Sequence, residues 1–209
     1  MGGFLRQLFN VPNGLSLFRL AVAPLVMVFW IVLEWRVAAL ALGALAGITD
    51  LFDGIVARKL NQVTEIGALI DQVGDLVFES FCLILAILTG ELWLGWLLIY
   101  LFREFTISAM RAWVMGRGGS LPTSNVGKTK SSLLQYAYFS FFLGVILIQP
   151  GTVPESWILA GLHPGRLLIW IATFAIAMGI GAGLLSGWSY ARAFIGVYTS
   201  RNSSPPGAA

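Results

Sequence analysis

The chain has 209 residues, 57% of them apolar and only 11% charged, with a formal net charge of +3. Its mean hydropathy is +0.82. Soluble domains are about 45–50% apolar, so the composition excludes an ordinary soluble enzyme and predicts a polytopic, all-α membrane protein.

Six apolar runs are long enough to cross a bilayer: about 14–34, 37–57, 66–89, 94–115, 130–149 and 167–195. A spanning helix needs about 20 such residues and satisfies its own backbone polar groups. The alternating pattern of a transmembrane strand is absent from the sequence. Six spans put Arg6, Arg58, Lys59, Arg117, Lys128, Lys130 and Arg201 on one side and only Arg36 and Arg166 on the other. The positive-inside rule then predicts both termini in the cytoplasm, as in a bacterial-type inner (plasma) membrane protein. Trp30, Trp35, Trp93, Trp96 and Trp113 fall near the predicted span ends, as interfacial tryptophans do. No cleavable signal peptide is recognisable. The one cysteine, Cys82, lies mid-span and has no intrachain partner for a disulfide.

In chain order, residues 1–13 read as a short amphipathic helix on the membrane surface, with Phe4, Leu5, Leu8 and Phe9 on one face and Pro12 at its end. Residues 14–198 form the six-helix domain, and 199–209 form a tail expected to be disordered. Asn13 and Ser16 suit the cap of the first span. Arg19 follows inside it, either snorkelling to the headgroups or binding a phosphate. The fourth span carries Arg103, Glu104 and Arg111, charges that within a membrane face a bundle interior or a wet cavity. A basic cluster, Lys128 and Lys130, opens the fifth span. Gly179, Gly181, Gly183 and Gly187 in the sixth permit close helix approach. His163, the only histidine, sits in a loop on the far side from the acidic residues.

The decisive stretch is residues 50–75, DLFDGIVARKLNQVTEIGALIDQVGD, which contains all four aspartates of the protein. Asp50 and Asp53 share one helix face, and Asp71 and Asp75 share a face of the next. The short polar loop between them makes an antiparallel hairpin that can bring all four carboxylates together, with Glu79 one turn deeper. Four clustered carboxylates repel unless cations or protons neutralise them. An all-oxygen ligand set favours Mg²⁺ or Mn²⁺ over zinc. Four carboxylates suffice for two divalent ions, the arrangement suited to in-line displacement at phosphorus. Arg58 is placed to reach a phosphate of the same substrate. On charge count and spacing alone, ion or proton transport and structural ion pairing also remain open.

The spacing Asp50-x2-Asp53-Gly54-x2-Ala57-Arg58-x8-Gly67-x3-Asp71-x3-Asp75 resembles, position for position, the signature of the CDP-alcohol phosphatidyltransferase family. The resemblance implies that Asp50, Asp53, Asp71 and Asp75 hold two divalent metals, and that Gly54, Ala57 and Gly67 pack against cytidine. It implies that Arg58 helps hold the pyrophosphate and that Asp75 accepts the proton of the acceptor hydroxyl. That oxygen attacks the β-phosphorus of a CDP-linked lipid and CMP leaves. The segments from Asn10 to Arg19, Arg103 to Arg111 and Gly127 to Lys130 further resemble phosphatidylglycerophosphate synthases. The implied substrates are then CDP-diacylglycerol and glycerol 3-phosphate, with Arg103, Arg111, Lys128 and Lys130 around the acceptor phosphate. A homodimer among membrane lipids is also implied, and no nucleic-acid partner is expected.

The sequence departs from that subgroup at Gln72, where proline is usual, and at Leu76, where lysine is usual. Inositol phosphate, inositol and serine therefore stay open as acceptors. Intramembrane prenyl transfer leaves Gly54, Ala57, Arg58 and Gly67 unexplained, and a transporter would be favoured by internal repeats, which the sequence lacks.

Overall fold

The computed structural model describes residues 11–59, 65–116, 125–158 and 162–202. Among them are six long α-helices: α1 (Val11–Met27), α2 (Arg36–Lys59), α3 (Glu65–Leu88), α4 (Leu94–Met115), α5 (Asn125–Leu147) and α6 (Pro164–Asn202). A π-helical turn, Val28–Val32, continues α1, and a single 3₁₀ turn, Glu155–Trp157, lies between α5 and α6. No strand occurs among the described residues. The helices follow the predicted apolar runs to within a few residues at most ends. Exceptions are the start of α5 and both ends of α6, and α6 runs into the segment expected to be a disordered tail. The expected surface helix lies outside the described residues over 1–10. Pro12 and Asn13 belong to the first turn of α1 rather than preceding it, where a missing proline N–H costs no hydrogen bond.

Two of these segments, Asn13–Val32 and Pro164–Gly196, are by themselves long and apolar enough to cross a membrane. Large apolar side chains point outward along the bundle, including Val37, Phe102, Phe174, Leu185 and Trp188. A surface this apolar suits lipid rather than water.

Contacts fix the direction of each helix. Ser16 meets Asp71 and Arg19 meets Asp75, so α1 and α3 run parallel. Gln72 bonds Ser108 across to α4, which runs antiparallel to α3 and is joined to it by a short turn. Arg103 meets Gly183 and Arg111 meets Tyr190, so α4 and α6 run parallel. α2 folds back beside α1, with Gly43 near Val26, and α5 lies antiparallel to α6, with Gly144 on Gly165 and Leu134 on Gly179. The starts of α1, α3 and α5 and the ends of α2, α4 and α6 thus share one end of the bundle. The core runs along α3, where Phe78, Cys82, Leu83, Leu85 and Ala86 are buried against Val22, Tyr138 and Phe141.

Glycine contacts seat α6. A Cβ on Gly144 would lie 2.7 Å from the carbonyl oxygen of Gly165, and the reverse contact is equally short. This backbone contact joins α5 and α6 and excludes any side chain. Gly179 packs on Leu134, with a Cβ there only 2.8 Å away, whereas Gly181 faces open space. The glycine row expected to promote close approach therefore does so at some positions only.

At the far end of the bundle Arg166 pairs with Glu91 at 2.5 Å. His163 accepts a hydrogen bond from the Gly165 amide at 3.1 Å, capping the start of α6.

Candidate active site

The site forms where α1 crosses α3. Asp71 and Asp75 lie one turn apart on α3, so their side chains project on the same face. Gly74 lies between them and lets α1 approach: a Cβ there would touch the Ser16 carbonyl oxygen at 3.4 Å and Arg19 Nε at 3.9 Å. Through this contact Arg19 reaches both carboxylates. Its Nη2 donates to Asp71 Oδ1 at 2.6 Å and its Nη1 to Asp75 Oδ1 at 2.5 Å. Ser16 Oγ donates to the same Asp71 oxygen at 3.4 Å.

Arg19 is only 1% exposed, while the side chains of Asp71 and Asp75 are 46% and 35% exposed. A guanidinium removed from water needs neutralising partners, and the two carboxylates supply them. Neither sequence expectation for Arg19, snorkelling or phosphate binding, describes this contact. The depth of Arg19 inside a span marks it as a charge in need of a partner, but which partner follows only from how α1 lies on α3.

The structure brings the predicted site residues to one end of the bundle by backbone. Asp50, Asp53, Gly54, Ala57 and Arg58 occupy the last turns of α2. Gly67, Asp71 and Asp75 occupy the first three turns of α3. Lys128 and Lys130 open α5, and Arg111 lies in the last two turns of α4. The side chains of residues 50–59 and 125–132 lie outside the described set. Among the described residues, no group of three or more His, Cys, Asp or Glu converges as a metal site.

Divalent cations nonetheless fit the described part. The Oδ1 atoms of Asp71 and Asp75 already meet on one cationic group, the Arg19 guanidinium, and both donors are hard oxygen ligands.

The two arginines of α4 are held by α6. Arg103 donates from Nε to the Gly183 carbonyl at 3.1 Å and from Nη2 to Ser186 Oγ at 2.8 Å, and it pairs with Glu104. Arg111 Nη2 donates to Tyr190 at 2.9 Å, and its guanidinium lies 5.1 Å from that ring's centroid. Tyr190 and Ser186 were not singled out from the sequence, since neither carries a motif.

The two departures from the subgroup pattern also have structural partners. Gln72 Nε2 donates to Ser108 Oγ at 2.6 Å, tying α3 to α4. Leu76 packs against the apolar core. Glu79, one turn below Asp75, is 4% exposed.

An apolar groove of about 360 Å³ opens between α1, α2, α3 and α5. Gly43, Gly47, Ile48, Phe78 and Tyr138 are among its walls, so it runs deeper into the bundle from the level of the aspartates. Tyr138 is buried, and its hydroxyl has no hydrogen-bond partner among the described residues.

Residues 9–185 match the family described as CDP-alcohol phosphatidyltransferase. The chain belongs to the CDP-alcohol phosphatidyltransferase family. Relatives from Escherichia coli (strain K12) and Shigella flexneri serotype 5b (strain 8401) are 32% identical over 189 residues. Each alignment covers 87% of this chain and 91% of the relative. Both relatives are named CDP-diacylglycerol–glycerol-3-phosphate 3-phosphatidyltransferase. The family assignment thus spans α1 to the middle of α6, including the crossing of α1 on α3.

Proposed function

We propose that this phosphatidyltransferase moves a phosphatidyl group from CDP-diacylglycerol to glycerol 3-phosphate, giving phosphatidylglycerophosphate and CMP, and that it depends on two divalent cations. The observation that carries the reading is the convergence of Asp71 and Asp75 at the α1–α3 crossing, within a family-wide match. The names of the relatives supply the acceptor.

In this mechanism Asp50, Asp53, Asp71 and Asp75 would hold Mg²⁺ or Mn²⁺. When bound, these ions neutralise charge on the pyrophosphate and on the departing CMP. Gly54, Ala57 and Gly67 leave room for cytidine against the helices, and Arg58 binds the pyrophosphate. Asp75 takes the proton of the acceptor hydroxyl as its oxygen attacks the β-phosphorus, and the bond from that phosphorus to the CMP oxygen breaks.

Lys128, Lys130 and Arg111 form the phosphate subsite for the acceptor at the same end of the bundle. Arg103 adds to that subsite only by giving up contacts it makes to α6. The apolar groove beside Phe78 takes an acyl chain. Gln72 and Leu76 engage Ser108 and the core, and the names of the relatives favour glycerol 3-phosphate as the acceptor.

The six helices cross the membrane with both termini and the site on the cytoplasmic side, and the working unit is a homodimer. The test is incorporation of labelled glycerol 3-phosphate into organic-extractable product, with inositol phosphate, inositol and serine in parallel. Label from glycerol 3-phosphate alone is expected. Incorporation of another acceptor instead would keep the reaction and replace the substrate, and incorporation of none would reject the transferase reading.

A further inference from the structure

We propose that Arg19 is a built-in counter-cation of the site: a positioning residue that holds the Asp71 and Asp75 carboxylates together when no divalent ion is bound. The inference deepens the reading above and rests on it, because it takes Asp71 and Asp75 to be metal ligands.

Three observations support it. The guanidinium is 1% exposed yet contacts two different carboxylates, at 2.6 and 2.5 Å, through two different nitrogens. A lysine ammonium, a single point charge, lacks this fork. Gly74 leaves the space through which the arginine reaches α3. The carboxylates are a third to a half exposed while the guanidinium is buried, so Arg19 approaches them from within the bundle.

The physical consequence has a definite sign. Without a cation, two carboxylates one turn apart repel, and the crossing of α1 on α3 loses an ion-pair network. With Arg19 in place, the crossing is held whether or not metal is present, and a divalent ion binds to carboxylates that are already partly neutralised. Arg19 therefore makes the fold less dependent on metal and makes metal binding weaker than four unpaired aspartates would give. A site filled and emptied during turnover gains from such a reserve charge.

The test compares the full-length protein with R19Q and R19K in detergent, following thermal unfolding with chelator and with saturating Mg²⁺, and Mn²⁺ binding by electron paramagnetic resonance. In the chelated state R19Q is expected to melt lower than the parent, and Mg²⁺ should restore much of the loss. The metal-induced rise in Tm becomes larger than in the parent by about 3 °C or more, on the scale of a few degrees per tenfold change in affinity. Mn²⁺ should bind R19Q several-fold more tightly.

R19K, which keeps the charge without the fork, should fall between the two and preserves the test if R19Q does not fold. An equal drop in Tm with and without metal, or Mn²⁺ affinity unchanged or weakened in both variants, would overturn the inference and leave Arg19 a packing residue. Absence of any metal response in the parent would instead overturn the metal reading itself, and this inference with it.

Discussion

Asp75→Asn tests the coupling between catalysis and fold, because Asp75 is both the proposed base and a partner of a buried arginine. Breaking a fully buried ion pair from one side costs about 3–5 kcal/mol. Here Asp75 is 35% exposed, Asp71 remains 2.6 Å from Arg19, and an asparagine carbonyl can still accept from Nη1. Relief of repulsion between the two carboxylates offsets a further part, since two unit charges about 6 Å apart interact by about 3 kcal/mol at an effective dielectric of about 20.

The expected net loss is about 1–2 kcal/mol, or a fall of about 3–6 °C in Tm for a chain of this size. Asp71→Asn should cost a similar amount. The double variant should cost more than either single one, because it takes both of these carboxylates from Arg19. Thermal unfolding in chelator, followed through the 8 tryptophans, measures all three. A double variant as stable as the parent would refute the claim that this network holds α1 to α3.

Gly144→Ala forces a Cβ to within 2.7 Å of the Gly165 carbonyl oxygen and should lower stability by about 1–3 kcal/mol, read as Tm and as expression in membranes. Lys128→Ala should raise the KM for glycerol 3-phosphate several-fold with little change in the KM for CDP-diacylglycerol; equal effects on both would remove Lys128 from the acceptor subsite. Arg103→Lys loses the fork that binds Gly183 and Ser186, so it should lower Tm before it changes the acceptor KM. Gln72→Leu gives up the bond to Ser108, at about 0.5–1.5 kcal/mol, while glycerol 3-phosphate incorporation persists.

The helical layout was legible in the sequence because apolar runs of bilayer length leave few alternatives. The aspartate spacing was equally legible, since i, i+3 and i, i+4 offsets place carboxylates on one face whatever surrounds them. Long-range partners were not. Nothing local to Arg19 says that it meets Asp71 and Asp75, because that contact depends on α1 lying parallel to α3 across Gly74. The engagement of Arg103 by Gly183 and Ser186 likewise depends on how α6 lies along α4. Gly144 and Gly165 carry the tightest glycine contact between α5 and α6 among the described residues, whereas in the denser row from Gly179 to Gly187 a Cβ on Gly181 would meet nothing within 4 Å. Leu76 reads as a lost cation in the sequence and as a core side chain in the fold.

The most direct measurement is CMP release by the purified protein from CDP-diacylglycerol, with and without glycerol 3-phosphate, Mg²⁺ and chelator, beside the Asp75→Asn variant. The account predicts CMP release that requires both glycerol 3-phosphate and Mg²⁺, stops on chelation and is lost in Asp75→Asn protein that still folds. CMP release that persists in chelator, or at the parent's rate in Asp75→Asn, would contradict it.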